Sequence, residues 1–460
     1  MPRAGARILE DKDYLTPEER ERRASAKERE LILRGLTPDW FGCRGDLCLP
    51  AGGLNVAVIG GGFAGLAAAW YLRSCGVTTV VFEASERLGG RVLTDRAFVA
   101  PKVVEAGAEL IGENHPLWRI LARRLGLPLV PLADEDDYRR AGLRVRTRFG
   151  THDLTDAEEY ALKAALRAPL AAIGRQAAAI SETEPWRAPD ATRLDAMSVA
   201  DKLDQLLGRG SSTARTWFEF TLGNDNCAPV AAQSYLGLLA AVSAARMGSD
   251  APGMLGYWMS TETHRCGGGN DRLAERLGQV IGHTIRLRTT VDLISAQPGF
   301  DPPLVVGWVQ RDAAGKLVDQ RLQGFHYAIL ATPPSVWPAI PINPEMRIAD
   351  RAIQHGPAIK FLSRYPTEFW RAQKLAPAAR WDQLGSIWEG TDQQPGPPWY
   401  GLSVFSGGPF VLPAGQYPAK LTALYPKRLS APGSEQFVNW PAAPHILTGY
   451  GVPAVGQAST

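Results

Sequence analysis

Three glycines and one glutamate are spaced so that they could hold a phosphate-bearing ligand. Gly60, Gly62 and Gly65 form a G-x-G-x-x-G pattern, and Glu83 follows 23 positions after Gly60. In such a pattern the first glycine permits a tight turn, the second lets the backbone approach a pyrophosphate, and the third allows a helix to pack closely. An acidic residue about 20 positions further on is where a ribose hydroxyl is held. The spacing therefore predicts a site for NAD or FAD.

The elements around these residues have the order strand, helix, strand. The apolar run Asn55–Ile59 predicts a strand that is buried in a parallel sheet, residues 64–73 predict a helix, and TTVVFE predicts a second strand that ends at Glu83. The N–H groups and the dipole at the start of that helix favour an anion. A chance glycine turn in a βαβ unit is the alternative, but the complete order favours a Rossmann-like domain.

A second glycine turn follows at once and favours FAD over NAD. The segment EASERLGGRVLTD contains Arg87, Gly89, Gly90, Arg91 and Thr94. Its backbone N–H groups and guanidinium groups could bind a diphosphate. Taken alone, it would be a basic loop with a turn. The segment resembles the R-x-G-G-R-x-x-T motif of the flavin amine oxidase superfamily, which includes monoamine, polyamine and L-amino-acid oxidases.

The resemblance implies an α/β fold with FAD as the cofactor. It predicts a Rossmann-like FAD-binding domain and a substrate domain of mixed β-sheet plus helices, with a helical insertion over residues 155–246. In the superfamily, a turn that matches Gly107-Ala108 passes beside the flavin ring. The strand in TIRLRTTVDLI rejoins the FAD sheet, and the residue that matches Val291 contacts the adenine through its backbone. The cofactor-binding residues expected on this basis are Gly60, Gly62, Phe63, Ala64, Gly65, Glu83, Ala84, Arg87, Gly89, Gly90, Arg91, Gly107, Ala108, Glu109 and Val291.

One lysine and four further residues are candidates for the catalytic and substrate sites. Lys360 lies in GPAIKFLSRYPTEFW and matches a superfamily lysine that holds a water at flavin N5, which makes it the candidate catalytic residue. A strand lysine usually faces solvent, but its apolar neighbours here favour burial, and a buried lysine near a flavin is a functional candidate. Resemblance also places Leu110, Trp388, Trp440 and Tyr450 in the substrate cavity, with core packing as the alternative for each aromatic residue.

The reaction implied by the resemblance is oxidation of a C–N bond. FAD takes a hydride from the carbon that bears the amine and is then reoxidised by O2, with release of H2O2. Water hydrolyses the resulting imine to a carbonyl compound and ammonia. Because the amine must be neutral to give up a hydride, the rate is expected to rise with pH until the bound amine is deprotonated.

Two observations conflict over the substrate, which is either a primary amine or an L-amino acid. Many L-amino-acid oxidases place an arginine after the G-A turn to bind the α-carboxylate, and Leu110 occupies that position here. Arg246 or Arg265 could replace it. The helical insertion and the segments QSYLGLL and RCGGGN, however, resemble bacterial amino-acid oxidases.

Three other functions stay open at this point. They are a different oxidase or desaturase of the same flavin scaffold, a nicotinamide dehydrogenase, and a degenerate, non-catalytic flavoprotein fragment. Some monoamine oxidases attach flavin to a cysteine near the C-terminus, but no cysteine follows Cys266 in these 460 residues, so that bond is not expected here.

The composition indicates a globular protein and argues against several classes. The chain is 45% hydrophobic and 21% charged, with a net charge of +3, and it has no basic run interleaved with aromatics, so nucleic acid is not an expected partner. Its apolar runs are shorter than the ~20 residues that a membrane helix needs. Five scattered cysteines favour reduced thiols in the cytoplasm, and Cys43 and Cys48 are expected to be ordinary thiols rather than a metal site. The expected partners are a small amine or amino acid, O2 and a second copy of the chain.

The 460-residue length predicts two or three domains. We expect a charged, solvated helical extension in 1–50, the FAD-binding domain in 51–135 and 261–300, a helical insertion with part of the substrate domain in 136–260, and the substrate-binding domain in 301–460. The superfamily continues beyond the segment that matches residues 440–457 into a further FAD-contacting strand and helix. The resemblance therefore predicts a fragment with weakened FAD affinity.

Overall fold

The computed structural model describes residues 17–33, 53–245, 261–344, 353–396, 399–429, 431 and 433–459. Within these ranges the strands are β1 (Asn55–Ile59), β2 (Thr78–Phe82), β3 (Thr94–Asp95), β4 (Val104–Glu105), β5 (Leu129–Pro131), β6 (Arg144–Phe149), β7 (His152–Asp153), β8 (His264–Cys266), β9 (Ile285–Arg286), β10 (Thr289–Ala296), β11 (Leu304–Arg311), β12 (Leu317–Phe325), β13 (Tyr327–Leu330), β14 (Ile342–Asn343), β15 (His355–Gly356), β16 (Ala358–Tyr365), β17 (Leu375–Trp381), β18 (Gly385–Glu389), β19 (Tyr400–Gly407), β20 (Glu435–Asn439) and β21 (Tyr450–Gly451). The α-helices are α1 (Pro17–Leu33), α2 (Phe63–Ser74), α3 (Pro116–Arg124), α4 (Glu135–Arg140), α5 (Asp156–Ala177), α6 (Ala191–Asp195), α7 (Val199–Leu207), α8 (Thr213–Asp225), α9 (Tyr235–Ala244), α10 (Arg272–Ile281) and α11 (Tyr417–Leu424).

A four-stranded parallel sheet contains the predicted nucleotide-binding unit. Its order is β13-β1-β2-β9, and Val58 of β1 lies between Val81 of β2 and Ile329 of β13. Because β1 is apolar on both faces, it is buried on both. Helices α2 and α10 cover one face through an apolar cluster that includes Leu66 and Leu277. This confirms the Rossmann-like α/β arrangement predicted from the order of strand, helix and strand.

A second sheet, of order β12-β11-β10-β14, packs on the other face of the first sheet. The apolar residues that join the two sheets come from β1 and β2 on one side and from β10, β11 and β12 on the other. They are Ala57, Ile59, Phe82, Val291, Ile294, Val306, Trp308 and Phe325. Hairpins β10-β11 and β11-β12 are antiparallel.

Two predictions in this region hold only in part. The strand after α10 rejoins the first sheet as expected, but only through the two residues of β9, which pair with β2. Arg288 then adopts φ +51°, and the chain turns into β10, where Val291 pairs with Trp308 of the second sheet. Residues 301–460 were assigned to the substrate domain, but β13 pairs with β1 because its apolar run extends the core of the first sheet.

A seven-stranded sheet of order β20-β16-β19-β18-β17-β6-β7 forms the centre of the second domain. Strands β16 and β19 are buried along nearly their whole length, with β16 between β19 and β20. One large aromatic core lies on this sheet and includes Trp370, Trp381 and Tyr417. The mixed sheet of the predicted substrate domain is therefore present, and it also uses β6 and β7 from the 136–260 segment.

Helices α5 to α9 confirm the predicted helical insertion. Their shared core contains leucines at helical spacing on α5, such as Leu162, Leu166 and Leu170, with Trp217 of α8 and Leu239 of α9. Helix α5 begins with a capping box, in which the Thr155 hydroxyl accepts from the backbone N–H of position 158 while that glutamate accepts from Thr155.

The N-terminal extension contains the helix α1, which begins at Pro17, but this helix is not solvated on all sides as predicted. Ala24 and Glu28 are buried, and Glu28 Oε1 accepts a 2.7 Å hydrogen bond from Nε of buried Arg119 on α3. Lys27 donates across 2.7 Å to the carbonyl oxygen of Ala244 at the end of α9. Because these counter-charges come from distant segments, the charge pattern of α1 alone gave no sign of its buried face.

Over the described ranges, no helix is long and apolar enough to span a bilayer, and no group of His, Cys, Asp and Glu side chains is placed to hold a metal ion. Of the cysteines within those ranges, Cys227 and Cys266 are buried thiols. Cys43 and Cys48 lie outside the described residues.

Candidate active site

The glycine turn after β1 is closed against the protein at two positions and open at a third. Gly60 has φ +112°, and a Cβ at Gly65 would lie 1.9 Å from the Gly60 carbonyl oxygen, so α2 packs directly on the turn. A Cβ at Gly62 would meet no atom within 4 Å. No side chain caps α2, so its first N–H groups, at Phe63 and Ala64, are available to an anion. The turn therefore fits a phosphate group beside Gly62.

Glu83 lies at the end of β2, next to this turn. Its Oε2 accepts a hydrogen bond from the Gly61 N–H at 2.7 Å, and its Oε1 accepts from the N–H and the hydroxyl of Ser85 at 2.8 and 2.7 Å. A carboxylate oxygen can accept more than one hydrogen bond, so the side chain keeps capacity for ribose hydroxyls. Ala84, which follows it, is half-buried.

The second glycine turn lies against the first. Gly89 and Gly90 have φ +103° and +58°, which favours glycine at both positions, and the Gly89 N–H donates to the Gly61 carbonyl oxygen at 3.0 Å. A Cβ at Gly90 would lie 3.5 Å from Cα of Gly62. The backbones of both turns thus lie next to the same open position.

The two arginines of the second turn have different partners. Arg87 donates to three carbonyl oxygens of its own loop at 2.6 to 3.2 Å, so its guanidinium holds the shape of the turn. Arg91 is exposed, and its Nη1 donates to the Gly449 carbonyl oxygen at 2.6 Å. Contact of either side chain with a diphosphate stays a prediction.

The loop between β4 and α3 holds Gly107 and Ala108 in a fixed position. A Cβ at Gly107 would lie 2.1 Å from the Arg91 carbonyl oxygen, which also accepts from the Ala108 N–H at 3.0 Å. The amide of Asn270 donates to the carbonyl oxygens of Ala108 and Glu109 at 3.1 and 2.6 Å. The sequence gives no sign of this contact, because Asn270 lies 161 positions from Glu109. Ala108 itself is exposed.

Lys360 reaches this loop from β16. Its Nζ donates to the Glu105 carbonyl oxygen at 2.8 Å and to Glu109 Oε2 at 2.5 Å, and it lies 5.1 Å from the ring centroid of Trp388. Only 4% of Lys360 is exposed. The buried lysine that its apolar neighbours predict is therefore present, and its ammonium contacts the loop that carries the G-A turn.

The ammonium of Lys360 belongs to a buried group of opposite charges. Nε of Arg265 lies 3.6 Å from Glu109 Oε1, and Arg265 also forms an ion pair with Asp392. Burial would raise the pKa of the Glu109 carboxyl, but the charges of Lys360 and Arg265 outweigh this and hold that pKa below its usual value. Burial raises the pKa of the Glu105 carboxyl to about 7.

The guanidinium of Arg265 is bound by groups of the protein itself. Besides Asp392, its guanidinium contacts the carbonyl oxygens of Glu389 and Gly390, and the residue is buried. It therefore joins β8 to the segment after β18. Arg246, the other predicted candidate, lies outside the described residues.

Two of the predicted cavity residues meet through an aromatic residue that the sequence did not single out. Phe405 of β19 shares an apolar cluster with Trp388, Cys227 and Ala358, and its ring centroid lies 6.2 Å from that of Tyr450 in an edge-to-face contact. Tyr450 is 44% exposed. The strand pattern of β19 contains no feature that separates Phe405 from an ordinary core residue.

The other two predicted cavity residues lie at the loop. Trp440 is buried, and its Nε1 donates to the Ala106 carbonyl oxygen at 3.1 Å, so it fixes the loop backbone. Leu110 is half-buried and directly follows Glu109. The structure thus brings Lys360, Trp388, Trp440 and Leu110 to one loop.

Comparison with known proteins agrees with this arrangement. The model of the flavin containing amine oxidoreductase family matches residues 63–459. The putative flavin-containing monoamine oxidase AofH of Mycobacterium tuberculosis is 27% identical over 340 residues, which cover 72% of this chain and 69% of that protein. Human flavin-containing amine oxidase B is 23% identical over 323 residues, which cover 69% and 58% of the two chains.

Solved structures share the fold. Cyclohexylamine oxidase from Brevibacterium oxydans superposes with a TM-score of 0.70 at 21% identity and covers 88% of this chain and 89% of its own. Putrescine oxidase bound to putrescine superposes with a TM-score of 0.69 at 20% identity, with the same two coverages.

The chain belongs to the flavin-containing amine oxidoreductase family. It is an FAD-dependent oxidoreductase that acts on amines. The family match rules against the nicotinamide dehydrogenase alternative, and the amine-oxidase relatives favour amine oxidation over desaturation.

Proposed function

We propose that this amine oxidase acts on a primary amine with an apolar or aromatic body rather than on an L-amino acid, with O2 as the electron acceptor. The observation that carries the proposal is the position of Lys360, whose ammonium contacts the loop of the G-A turn beside Trp388. A desaturase would be expected to have a wholly apolar pocket without that lysine.

The residues on the two glycine turns fit FAD. Gly62, Phe63 and Ala64 would hold the diphosphate together with Gly89 and Gly90, since the space at Gly62 is open and α2 is uncapped. Bound FAD supplies the chemistry of hydride acceptance from the amine-bearing carbon and of reoxidation by O2.

Glu83 would accept hydrogen bonds from the ribose hydroxyls with its remaining acceptor capacity. The backbone at Gly107 and Ala108 would lie along the flavin ring, in keeping with the exposure of Ala108. Val291 lies in the second sheet, and its contact with the adenine stays a prediction.

Lys360 would hold a water at the reacting end of the site. An ammonium has three N–H donors. Two of them point to the Glu105 carbonyl oxygen and to Glu109, which leaves one N–H for a water. That water would serve flavin reoxidation or imine hydrolysis.

The surroundings of the loop favour an amine over an amino acid. Leu110 stands where an arginine would bind an α-carboxylate, and Arg265 is engaged with Asp392 and with backbone carbonyl groups. The apolar contacts among Trp388, Phe405 and Tyr450 suit an uncharged substrate body.

The test compares two substrates that differ only in a carboxylate. The FAD-loaded protein is mixed under anaerobic conditions with 2-phenylethylamine or with L-phenylalanine, and the flavin absorbance is followed. We expect the amine to bleach the flavin at least about tenfold faster, and faster still at higher pH, because the neutral amine is the reactive form. Faster bleaching by L-phenylalanine would contradict the assignment, and no bleaching by any amine would point to a non-catalytic flavoprotein.

We also propose that the protein works in the cytoplasm as a homodimer. The buried thiols Cys227 and Cys266 support a reducing compartment. Analytical ultracentrifugation of the FAD-loaded protein tests the dimer. A single species with the mass of the monomer would contradict it.

A further inference from the structure

The strongest buried interaction of Lys360 is with an acidic side chain to which the reaction as described assigns no step. Glu109 Oε2 accepts from Lys360 Nζ at 2.5 Å, while 3% of Glu109 and 4% of Lys360 are exposed. The two residues are 251 positions apart and belong to different domains of the fold, the loop after β4 and the middle of β16. The contact therefore joins the G-A turn to the strand that carries the candidate catalytic lysine.

We propose that Glu109 is a positioning residue that keeps the Lys360 ammonium charged and directed at the G-A turn. The proposal rests on the proposed role of Lys360 as the group that holds the reactive water. Glu109 does not touch the substrate in this scheme and acts through the lysine.

Burial makes the charge of the Lys360 ammonium depend on a counter-ion. A buried ammonium without a counter-ion is strongly disfavoured, so it releases its proton and becomes neutral. The backbone carbonyl of Glu105 orients Lys360 Nζ but supplies no charge. Glu109 is the carboxylate within hydrogen-bonding distance of Nζ among the described residues.

The other charged groups around the pair decide which cation depends on Glu109. Arg265 lies 3.6 Å from Glu109 but has its own ion pair with Asp392 and bonds to two carbonyl oxygens. The Glu105 carboxyl accepts from Thr94 Oγ1 and from the Asn270 N–H instead. The Glu389 side chain accepts from Thr391. Loss of the Glu109 charge therefore leaves Lys360, and not Arg265, without its counter-ion.

Two substitutions of Glu109 distinguish the effect of its charge from the effect of its size. Glutamine has nearly the same volume and keeps an acceptor oxygen for Nζ, so Glu109→Gln removes the charge and little else. Aspartate keeps the charge on a shorter side chain. The two variants thus distinguish loss of charge from loss of packing.

A second buried ion pair, whose arginine lies in the same seven-stranded sheet as Lys360, provides a matched control. Glu135 of α4 and Arg380 of β17 form another buried ion pair at 2.5 Å, and neither contacts the loop of the G-A turn. Glu135→Gln breaks a pair of the same length and burial. It reports what disruption of a buried ion pair does to the protein without any effect on Lys360.

The experiment measures flavin reoxidation by O2 as a function of pH. The FAD-loaded wild type, Glu109→Gln, Glu109→Asp, Lys360→Met and Glu135→Gln proteins are reduced with dithionite and mixed with oxygenated buffer. Because dithionite replaces the amine, the measurement works even where the proposed substrate is wrong, so the two proposals fail separately. If flavin in Lys360→Met is reoxidised as fast as in the wild type, the proposed role of Lys360, on which this inference rests, is wrong.

We expect the wild type, Glu109→Asp and Glu135→Gln to share one pH profile between about pH 6 and 9, in which any change caused by the Glu105 carboxyl, whose pKa is about 7, is common to all three. For Glu109→Gln we expect an additional loss of rate as the pH rises, of up to about tenfold per pH unit, because its buried ammonium has no hydrogen-bonded carboxylate. At high pH its rate should approach that of Lys360→Met. A Glu109→Gln profile parallel to that of the wild type would overturn the proposal.

A second readout uses stability rather than turnover. Glu109→Gln leaves a buried lysine unpaired, whereas Glu109→Gln/Lys360→Met removes both charges, so the double variant is expected to have the higher melting temperature. This comparison holds even where the single variant folds poorly. A double variant that melts no higher than Glu109→Gln would contradict the pairing.

Discussion

The carboxylate of Glu83 and the backbone N–H of Gly61 are joined by a 2.7 Å hydrogen bond, which ties the end of β2 to the glycine turn after β1. The same carboxylate accepts two hydrogen bonds from Ser85. Glu83 therefore sets the spacing between the two strand ends at the place where the ribose is proposed to bind.

Replacement of Glu83 by glutamine tests this position. The amide NH2 group cannot accept from Gly61 or Ser85, and the negative charge is lost. We expect the FAD dissociation constant to rise about tenfold, which corresponds to about 1.4 kcal/mol. Flavin fluorescence titration measures the constant. Glu86→Gln is the control, because Glu86 is exposed and pairs with Arg288 at the surface. Unchanged affinity in Glu83→Gln would remove Glu83 from the site.

Two alanine substitutions at the first glycine turn are expected to affect different properties, one the stability of the fold and the other the affinity for FAD. A methyl group at Gly65 would overlap the Gly60 carbonyl oxygen, so Gly65→Ala should lower the free energy of unfolding by about 3 kcal/mol or more. Gly62 has φ −74°, and its methyl group would meet no protein atom. Gly62→Ala should therefore leave the FAD-free protein as stable as the wild type and weaken FAD binding at least about tenfold.

Denaturant unfolding of the FAD-free proteins, combined with FAD titration, separates the two variants. Tight FAD binding by a well-folded Gly62→Ala protein would mean that the diphosphate does not approach the turn at that glycine.

The buried pair between Glu28 and Arg119 should make α1 an integral part of the fold. Glu28→Gln leaves Arg119 with Glu21, which is largely exposed, as its remaining carboxylate partner. We expect the free energy of unfolding to fall by about 3 kcal/mol. Glu18→Gln, at an exposed position on the same helix, should change it little. Hydrogen exchange over residues 17–33 checks the result, and equal protection in the two variants would contradict it.

Glu105 predicts a pH dependence of stability. Burial raises the pKa of its carboxyl from 4.5 to about 7, so between these values the folded protein binds more protons than the unfolded chain. This contribution to stability is complete below about pH 4.5 and is lost as the pH rises through 7, with a total near 3 kcal/mol. Burial raises the pKa of Glu389 to about 7 as well, with the same sign.

Glu105→Gln isolates the contribution of Glu105. An amide can accept from the Asn270 N–H and donate to the Thr94 hydroxyl, so the local hydrogen bonds of Glu105 are preserved in the variant. We expect its melting temperature to fall less than that of the wild type between pH 5 and 8. A parallel decline in the two proteins would show that Glu105 does not titrate in this range.

The parts of the fold that the sequence predicts are those specified by local residues. The β1-α2-β2 unit and its glycines follow from one segment of about 30 residues, so both the strand Asn55–Ile59 and the following helix were placed to within one residue. Lys360 was identified from the family resemblance, and its burial was predicted from its apolar neighbours. The turn at Arg288, by contrast, needs φ +51° in a non-glycine residue, and no residue pattern in the segment predicts that the strand breaks there.

The parts that the sequence does not predict depend on distant partners. Glu109 and Lys360 are 251 positions apart, and Glu28 and Arg119 are 91 apart. Each charge alone is typical of a solvated side chain, and only the packing of separate elements turns it into a buried pair. Phe405 was not predicted for a related reason, because the residue pattern of β19 is the same whether Phe405 faces the core or the candidate site.

The return of the chain to β13 bears on how the protein is made. Val58 of β1 pairs with Ile329 of β13, across about 271 residues of intervening chain. During synthesis β1 leaves the ribosome long before β13, its second parallel partner, exists, and such long-range pairings slow folding. The apolar edge of β1 is thus exposed in the nascent chain until β13 emerges. The turn at Gly60, which lies against Ala331 directly after β13, is therefore complete only after that segment has been synthesised.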